Sequence, residues 1–170
     1  NIHYELGSLY SLSSFKDKVS MSNLCQEITL PTTPIQDIHD EQGEIALCIL
    51  SAVNVGALND LSELENICDL SVRALEQIID YQDYPVKAAE VSTKKRRSLG
   101  IGYIGLAHYL AKNGVKYSDP KAWELVDRLS EAFQYHLLRA SCDIAMEKGK
   151  CEGFERTKYA DGLLPIDHYK

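Results

Sequence analysis

The segment Ser22-Asn-Leu-Cys-Gln-Glu-Ile-Thr-Leu-Pro-Thr-Thr-Pro34 is the most informative stretch of this 170-residue chain. It places an amide, a thiol and a carboxylate at every second position, as Asn23, Cys25 and Glu27. In extended backbone, alternate side chains point the same way, with Cα atoms roughly 6.5 Å apart. The spacing therefore predicts a small site in which an amide, a sulfur and a base converge on one substrate.

A cysteine in an apolar setting is usually a small buried hydrophobe, and a five-residue pattern alone often matches by chance. The longer sequence is more specific, because further segments follow in order. They are Gly43-Glu-Ile-Ala-Leu-Cys-Ile-Leu-Ser-Ala-Val-Asn-Val-Gly56, Arg73-Ala-Leu, Asp80-Tyr-Gln-Asp-Tyr-Pro85, Arg96-Arg-Ser-Leu-Gly-Ile-Gly102, Tyr109-Leu-Ala-Lys112, Tyr117-Ser-Asp119 and Leu164-Pro-Ile-Asp167. Over about residues 20–170 the chain closely resembles the catalytic core of the large subunit of class I ribonucleotide reductases, in their bacterial and phage versions.

The resemblance implies an α/β fold, part of a ten-stranded α/β barrel that is mostly helical in this segment. Residues 1–20 depart from the family's pattern and are expected to be a divergent or junction segment. Residues 21–170 are expected to form a partial catalytic barrel domain, with a finger loop, one redox-cysteine strand and the helices that follow. The chain does not begin with Met and is several times shorter than the family's large subunit. We therefore expect a central fragment or one piece of a split subunit.

The resemblance also implies roles for individual residues. Cys25 corresponds to the thiyl radical residue, Glu27 to the general base at the 3′-hydroxyl, and Asn23 to the amide that orients the ribose hydroxyls. Ser22 joins these three as an expected substrate-binding residue. Cys48 corresponds to one half of the redox-active disulfide, whose other half has no counterpart in this chain.

The activity implied is that of a ribonucleoside-diphosphate reductase, which supplies deoxyribonucleotides for DNA synthesis. Its radical comes from a separate, metal-containing small subunit, and thioredoxin or glutaredoxin reduces its disulfide again. The ATP and dNTP effector sites of the family lie outside this chain, and we expect no metal or cofactor bound directly. The remaining partners are the rest of the large subunit and a ribonucleoside diphosphate, so we expect activity only after assembly.

Composition restricts the alternatives. A net charge of −7 argues against a general nucleic-acid surface, and no apolar run approaches the 18 or more residues of a membrane span. No signal peptide opens the sequence. Five cysteines are an odd number, and their spacing does not match a zinc site. These features predict a cytoplasmic protein without structural disulfides.

Hydrophobic periodicity predicts the secondary structure. Asn59 or Asp60 is expected to cap a helix, because both side chains can accept hydrogen bonds from its first N–H groups, and Asp119-Pro120 is a second helix start. The predicted elements are extended chain over 19–30, a polar turn over 35–43, a buried strand over 45–55, a helix to Ile79, a polar loop over 81–95, a helix over 98–114 and a long helix over 120–149.

Several patterns support alternative sites. Gly100-Ile-Gly-Tyr-Ile-Gly105 matches a dinucleotide-binding fingerprint, but that fingerprint needs a preceding strand, so we favour glycines that allow close helix packing over a nicotinamide-dependent oxidoreductase. The run Lys94–Arg97 is interpreted as solvated charge rather than a phosphate site. Asp37, His39, Asp40 and Glu41 are interpreted as a polar turn rather than a metal site.

The remaining thiols allow a different class of function. By pattern alone Cys48 would be a packed core thiol, and Cys68, Cys142 and Cys151 have no neighbours in sequence that suggest chemistry. If all the cysteines were structural, the chain would be an inactive helical fragment that serves as an assembly or interaction piece.

Overall fold

The computed structural model describes residues 17–23, 25–26 and 28–169. Most of the predicted junction segment 1–20 lies outside this range, and so does Glu27, the expected base. In chain order the elements are β1 (Met21–Ser22), β2 (Thr29–Leu30), β3 (Ile49–Asn54), α1 (Glu63–Tyr81), α2 (Lys87–Arg96), β4 (Leu99–Ile104), α3 (Leu106–Lys112) and α4 (Pro120–Lys148), with 3₁₀ helices at Val55–Ala57, Glu152–Arg156, Lys158–Asp161 and Pro165–Tyr169.

The chain divides into two compact units. The hairpin unit contains the described residues up to Cys48, Ile79–Ser98 and the chain from Lys150. The sheet–helix unit contains Ile49–Ile78 and Leu99–Gly149. The described strands form two two-stranded sheets, β1–β2 and β3–β4. An α/β chain with more helix than strand is therefore confirmed, whereas the ten-stranded barrel stays a prediction.

The hairpin unit begins with an antiparallel pair in which Met21 faces Leu30 and Ser22 faces Thr29. The predicted extended chain over residues 19–30 is right for these two strands and wrong between them, where the backbone turns. Gln26 has a φ of 64°, in the left-handed region that side chains rarely adopt. That residue reverses the chain, so the single-face alternation expected from the sequence does not persist through the loop.

Helix α2 corrects the predicted polar loop over residues 81–95. Its polar composition hides the helical signal, because the buried side chains are small or polar, such as Ala88, Ser92 and Arg96. Salt bridges from Glu90 to Lys87 and Lys94 support the helix at i,i+3 and i,i+4 spacing. The helix therefore forms without the apolar stripe that sequence periodicity detects.

The sheet–helix unit pairs β3 and β4 in parallel, with Ile49 beside Leu99 and Asn54 beside Ile104. The predicted strand over residues 45–55 is thus confirmed from Ile49 onward, whereas the predicted helix over 98–114 is wrong in its first half. β4 precedes the short helix α3, and its composition Leu-Gly-Ile-Gly-Tyr-Ile suits a strand better than a helix.

Helices α1 and α4 confirm the periodicity prediction. Asp60 accepts a hydrogen bond from the N–H of Ser62 (2.7 Å) at the start of α1, and α4 runs from Pro120 to its C-cap at Gly149. Their apolar faces pack into the cores of the sheet–helix unit through side chains that include Leu64, Cys68, Val72, Leu129, Phe133, Ala140 and Ile144. None of the helices in the described part of the chain is long and apolar enough to cross a membrane.

Candidate functional site

The loop between β1 and β2 carries the residues that the sequence singles out. The N–H of Asn23 donates to the carbonyl of Ile28 (3.2 Å), which closes the connection between the two strands. Ser22 and Asn23 are half-buried at the start of this loop. The candidate substrate-binding residues Ser22, Asn23 and Cys25 therefore lie on one hairpin, and Glu27 occupies the same loop in sequence.

Asn23 builds the loop with two of its oxygens. Its backbone carbonyl accepts from the N–H of Gln26 (3.1 Å), which closes a β-turn. Its side-chain Oδ1 accepts a hydrogen bond from the N–H of Ile28 (3.1 Å), a group that would pair with a backbone carbonyl if the two strands continued. The side-chain oxygen thus helps to hold the loop in its closed conformation.

Cys25 occupies the third position of this turn and is exposed. The sequence predicted a shared face for Asn23 and Cys25 from extended geometry; in the structure the turn, rather than a strand, sets their relative placement. The Cys25 thiol is therefore accessible to solvent and to a small reagent in this chain.

A small hydrophobic cluster anchors the hairpin. Val19, Leu30 and Ala46 are buried together, and Met21 and Ile28 pack against them. Ala46 lies two residues before the second candidate thiol. The cluster therefore joins the base of the hairpin to the segment that leads to that thiol.

Cys48 is half-buried and lies immediately before β3. The sequence placed it in the middle of a strand, and this is wrong because the regular pairing of β3 begins only at Ile49. Residues 45–48 have no regular secondary structure, so Cys48 lies in irregular chain just before the strand.

A charge network that the sequence did not predict lies in the same unit. Arg96 donates to Asp17 Oδ2 (2.7 Å) and, through Nε and Nη2, to Glu44 Oε2 (3.1 and 2.5 Å). Lys95 also donates to Glu44 (2.6 Å), and Arg156 also donates to Asp17 (2.7 Å). We call these five residues the charge network.

The interpretation of Lys94–Arg97 as solvated charge holds for the exposed Lys94, whereas the structure corrects it for the three residues that follow. The Arg96 and Glu44 side chains are each only 4% exposed, and Arg97 forms a double hydrogen bond with Asp80 (2.9 Å). These cations are neutralised by carboxylates. The run is therefore neither a free surface patch nor an open phosphate site.

Electrostatics within the network favour the ionised acids. Burial alone would raise the pKa of Glu44, but hydrogen bonds and charge from Lys95 and Arg96 outweigh it and hold that pKa below its ordinary value. The same competition, with Arg96 and Arg156 as the cations, lowers the pKa of Asp17. Both carboxylates are thus charged at neutral pH.

The other thiols range from fully buried to exposed. Cys68 is fully buried, and burial raises its pKa to about 11, so it is a packed core thiol. Burial also raises the pKa of Cys151, whose Sγ–H donates to the carbonyl of Arg96 (3.7 Å). Cys142 is exposed on α4.

The glycine motif does not form the predicted arrangement. Gly100 and Gly102 lie within β4, and Gly105 adopts φ 79° at the start of α3. The expectation that these glycines pack helices together is therefore wrong. A dinucleotide site requires its first glycines in the turn after the strand, and here they lie in the strand itself.

The acidic segment near residue 40 forms a polar turn, as predicted. Asp40 accepts hydrogen bonds from the N–H groups of Gln36, Gln42 and Gly43 (2.8, 2.7 and 3.1 Å), which lower its pKa. Asp37 accepts from the N–H of His39 (2.7 Å). Within residues 17–23, 25–26 and 28–169, no group of three or more His, Cys, Asp or Glu side chains is arranged to hold a metal ion.

Comparison with known proteins identifies relatives over nearly the whole chain. Residues 10–170 match the family model of the ribonucleotide reductase barrel domain. The alpha subunit of ribonucleoside-diphosphate reductase from Haemophilus influenzae is 60% identical over 152 residues, which cover 89% of this chain and 20% of the relative.

Two further relatives carry the same name. The protein from Buchnera aphidicola (subspecies Schizaphis graminum) is 55% identical over 163 residues, covering 94% of this chain and 21% of the relative. The protein from Enterobacteria phage T4 is 41% identical over 156 residues, covering 91% of this chain and 20% of the relative. This chain therefore spans about a fifth of the length of the curated relatives that it matches.

Proposed function

This chain belongs to the ribonucleotide reductase barrel-domain family, and we propose that it supplies the radical thiol, the base and one reducing thiol of a ribonucleoside-diphosphate reductase. The observation that carries the proposal is the β1–β2 hairpin, which exposes Cys25 at its tip two residues from Asn23. Family membership gives this thiol a specific chemistry, and the hairpin geometry leaves it accessible for that chemistry.

The proposed reaction replaces the 2′-hydroxyl of a ribose by hydrogen. Hydroxide leaves an ordinary carbon with difficulty, and a radical at C3′ makes its departure easy. A Cys25 thiyl radical removes the C3′ hydrogen atom and becomes a thiol, while Glu27 accepts the 3′-hydroxyl proton. Asn23 would orient the ribose hydroxyls through its Nδ2 hydrogens, since its Oδ1 already accepts the N–H of Ile28.

The reducing equivalents come from two thiols. The 2′-hydroxyl takes one proton and leaves as water, and the carbon receives the two electrons and the second proton as the thiols of Cys48 and a partner outside this chain become a disulfide. The C3′ hydrogen then returns from Cys25, which restores its radical. The net change is one ribonucleotide and two thiols converted to one deoxyribonucleotide, one water and one disulfide.

The proposed partners follow from this chemistry. A metal-containing small subunit generates the radical, because protein side chains do not produce one unaided. Thioredoxin or glutaredoxin reduces the disulfide by thiol exchange, and the rest of the large subunit binds the effector nucleotides. We also infer a cytoplasmic location, because the five cysteines form no disulfide bonds with one another.

The test uses the full-length reductase assembled with its small subunit. Cys25→Ser should abolish turnover with every reductant, and Cys48→Ser should block multiple turnover while C3′ hydrogen abstraction continues. Cys142→Ser is the matched control, because that thiol is also exposed, and it should keep normal activity. Glu27→Gln should slow the reaction about 10²–10⁴-fold.

Normal turnover in Cys25→Ser, or a Cys48→Ser variant that behaves like Cys142→Ser, would exclude these roles. The chain would then fit the other candidate better, an inactive piece that serves only in assembly.

A further inference from the structure

The two segments that carry the candidate thiols converge on one buried side chain. Arg96 donates to Asp17, which precedes the hairpin, and to Glu44, which precedes the segment of Cys48. Its partners are 79 and 52 residues away in sequence. We propose that Arg96 is a positioning residue that fixes the Cys48 segment relative to the Cys25 hairpin; this rests on the proposed function.

The guanidinium is suited to this task because it is planar and presents its donors in a rigid fork. Nη1 binds Asp17 at 2.7 Å, while Nε and Nη2 bind Glu44 at 3.1 and 2.5 Å. The Arg96 side chain is only 4% exposed, so solvent competes little for these hydrogen bonds. The arginine therefore holds both acids in one geometry.

Each acid connects to one of the thiol segments. Asp17 lies two residues before Val19, a member of the hydrophobic cluster at the base of the hairpin. Glu44 pairs with Thr33 through both backbone hydrogen bonds (3.2 and 2.9 Å) and lies four residues before Cys48. A shift of either acid is thus transmitted along a short stretch of chain.

The other cations of the network allow a positioning role of Arg96 to be distinguished from charge neutralisation. Without Arg96, Glu44 keeps Lys95 (2.6 Å) and Asp17 keeps Arg156 (2.7 Å). Each acid therefore retains a cation, and the link between the two acids disappears. Loss of Arg96 should therefore loosen the spacing of the thiols in addition to destabilising the unit.

Loss of Arg96 should uncouple two steps of the proposed reaction, hydrogen abstraction and reduction of the substrate. Hydrogen abstraction at C3′ needs Cys25, whereas product formation also needs Cys48 in reach of the substrate. A displacement of about 1 Å can reduce a reaction step by about 100-fold. A misplaced Cys48 should therefore leave abstraction events that do not end in product.

The experiment uses the full-length reductase, assembled with its small subunit and supplied with a ribonucleoside diphosphate that carries tritium at C3′. Two quantities are measured: deoxynucleotide formed, and tritium released to water for each deoxynucleotide. The variant is Arg96→Met. The matched control is Arg73→Met, because Arg73 also bridges two acids, Asp69 (3.0 Å) and Glu147 (2.7 Å), in the sheet–helix unit.

Arg96→Met should lower kcat about 10- to 100-fold, with KM changed less than about 3-fold, and should raise tritium release per product at least about 3-fold over the wild type. Arg73→Met should leave the ratio unchanged. The ratio is independent of the fraction of folded enzyme, so a purely structural role would not change it. If Arg96→Met does not fold, Arg96→Lys keeps the charge without the fork and should raise the same ratio.

An unchanged ratio in a folded Arg96 variant, beside an active wild type, would overturn the positioning role and leave the proposed function intact. A wild-type enzyme without reductase activity would instead overturn the proposed function, and the positioning role with it.

Discussion

Glu44→Gln should be among the most destabilising single substitutions in the hairpin unit. The Glu44 side chain is 4% exposed and receives hydrogen bonds from Lys95 (2.6 Å) and from two nitrogens of Arg96 (3.1 and 2.5 Å). Glutamine has nearly the same shape but no charge, so the buried Arg96 cation would keep only one of its two carboxylate partners. Removing one partner of a buried ion pair costs about 3–5 kcal/mol. Asp17 still binds Arg96, so we expect the lower end, about 3 kcal/mol.

The assay is urea unfolding of the chain at pH 7, followed by circular dichroism. Glu124→Gln is the matched control, because Glu124 pairs with Arg128 (2.6 Å) on the exposed face of α4, with both side chains at least 60% exposed. Exposed pairs of this spacing contribute about 0.3–0.5 kcal/mol. The same chemical change should therefore have a several-fold smaller effect there.

The pH dependence gives the sign of the electrostatic contribution. Burial opposes ionisation of Glu44, but Lys95 and Arg96 lower its pKa below the ordinary value. A carboxylate with a lowered folded-state pKa stabilises the fold above its unfolded-state pKa, about 4.3, and loses that contribution as the pH falls through the folded-state pKa. The difference between wild type and Glu44→Gln should thus be largest near pH 7 and shrink below about pH 4.

Equal changes in the free energy of unfolding for Glu44→Gln and Glu124→Gln at pH 7 would contradict the stabilising role of the buried Glu44 charge. A wild-type minus Glu44→Gln difference that grows as the pH falls from 7 to 3 would contradict it as well, because protonated Glu44 resembles glutamine.

Three further predictions concern single sites. In the native chain, iodoacetamide should modify the exposed Cys25 within minutes and leave the buried Cys68 unmodified until urea is added; equal rates under mass spectrometry would contradict the structure. Gly105→Ala should lower the free energy of unfolding by at least about 2 kcal/mol, because φ is positive and a Cβ would clash with the Asn54 side chain. Gly114→Ala also has a positive φ but open space around the Cβ, so it should lower the free energy of unfolding by about 1 kcal/mol; urea unfolding measures both. Asn23→Ala removes the acceptor of the Ile28 N–H and should speed hydrogen exchange of that amide about 10-fold, measured by NMR.

Long amphipathic helices were the most predictable part of the fold. α1 and α4 bury residues such as Leu64 and Leu129 at helical spacing, and their ends coincide with capping and proline signals. α2 and β4 were missed for opposite reasons. α2 buries mainly small and polar side chains such as Ala88 and Ser92, so it lacks an apolar stripe. β4 is a strand because it pairs with β3, a contact about 50 residues distant that local periodicity does not encode.

The sequence predicted which residues belong to the candidate site but not how the backbone arranges them. The pattern of Asn23, Cys25 and Glu27 points to the β1–β2 loop, but the positive φ of Gln26 changes an expected strand face into a turn. The charge network could not be predicted from the sequence, because Arg96 contacts Asp17 and Glu44 only in the folded chain. The only local sign of the network is the run of four consecutive cations at residues 94–97. Such a run favours an exposed basic patch as long as its acidic partners are unknown.

The exposure of Cys25 constrains how the proposed enzyme is assembled. A thiyl radical in contact with water and reductants would be quenched, so the chemistry requires a site from which solvent is excluded. Within this chain the hairpin is closed at its base by Val19, Leu30 and Ala46, and its tip is exposed. The curated relatives are about five times longer than the matched segment. The proposed chemistry therefore requires that solvent be excluded from the exposed tip in the assembled enzyme, while within this chain the apolar cluster and the charge network link the hairpin to the Cys48 segment.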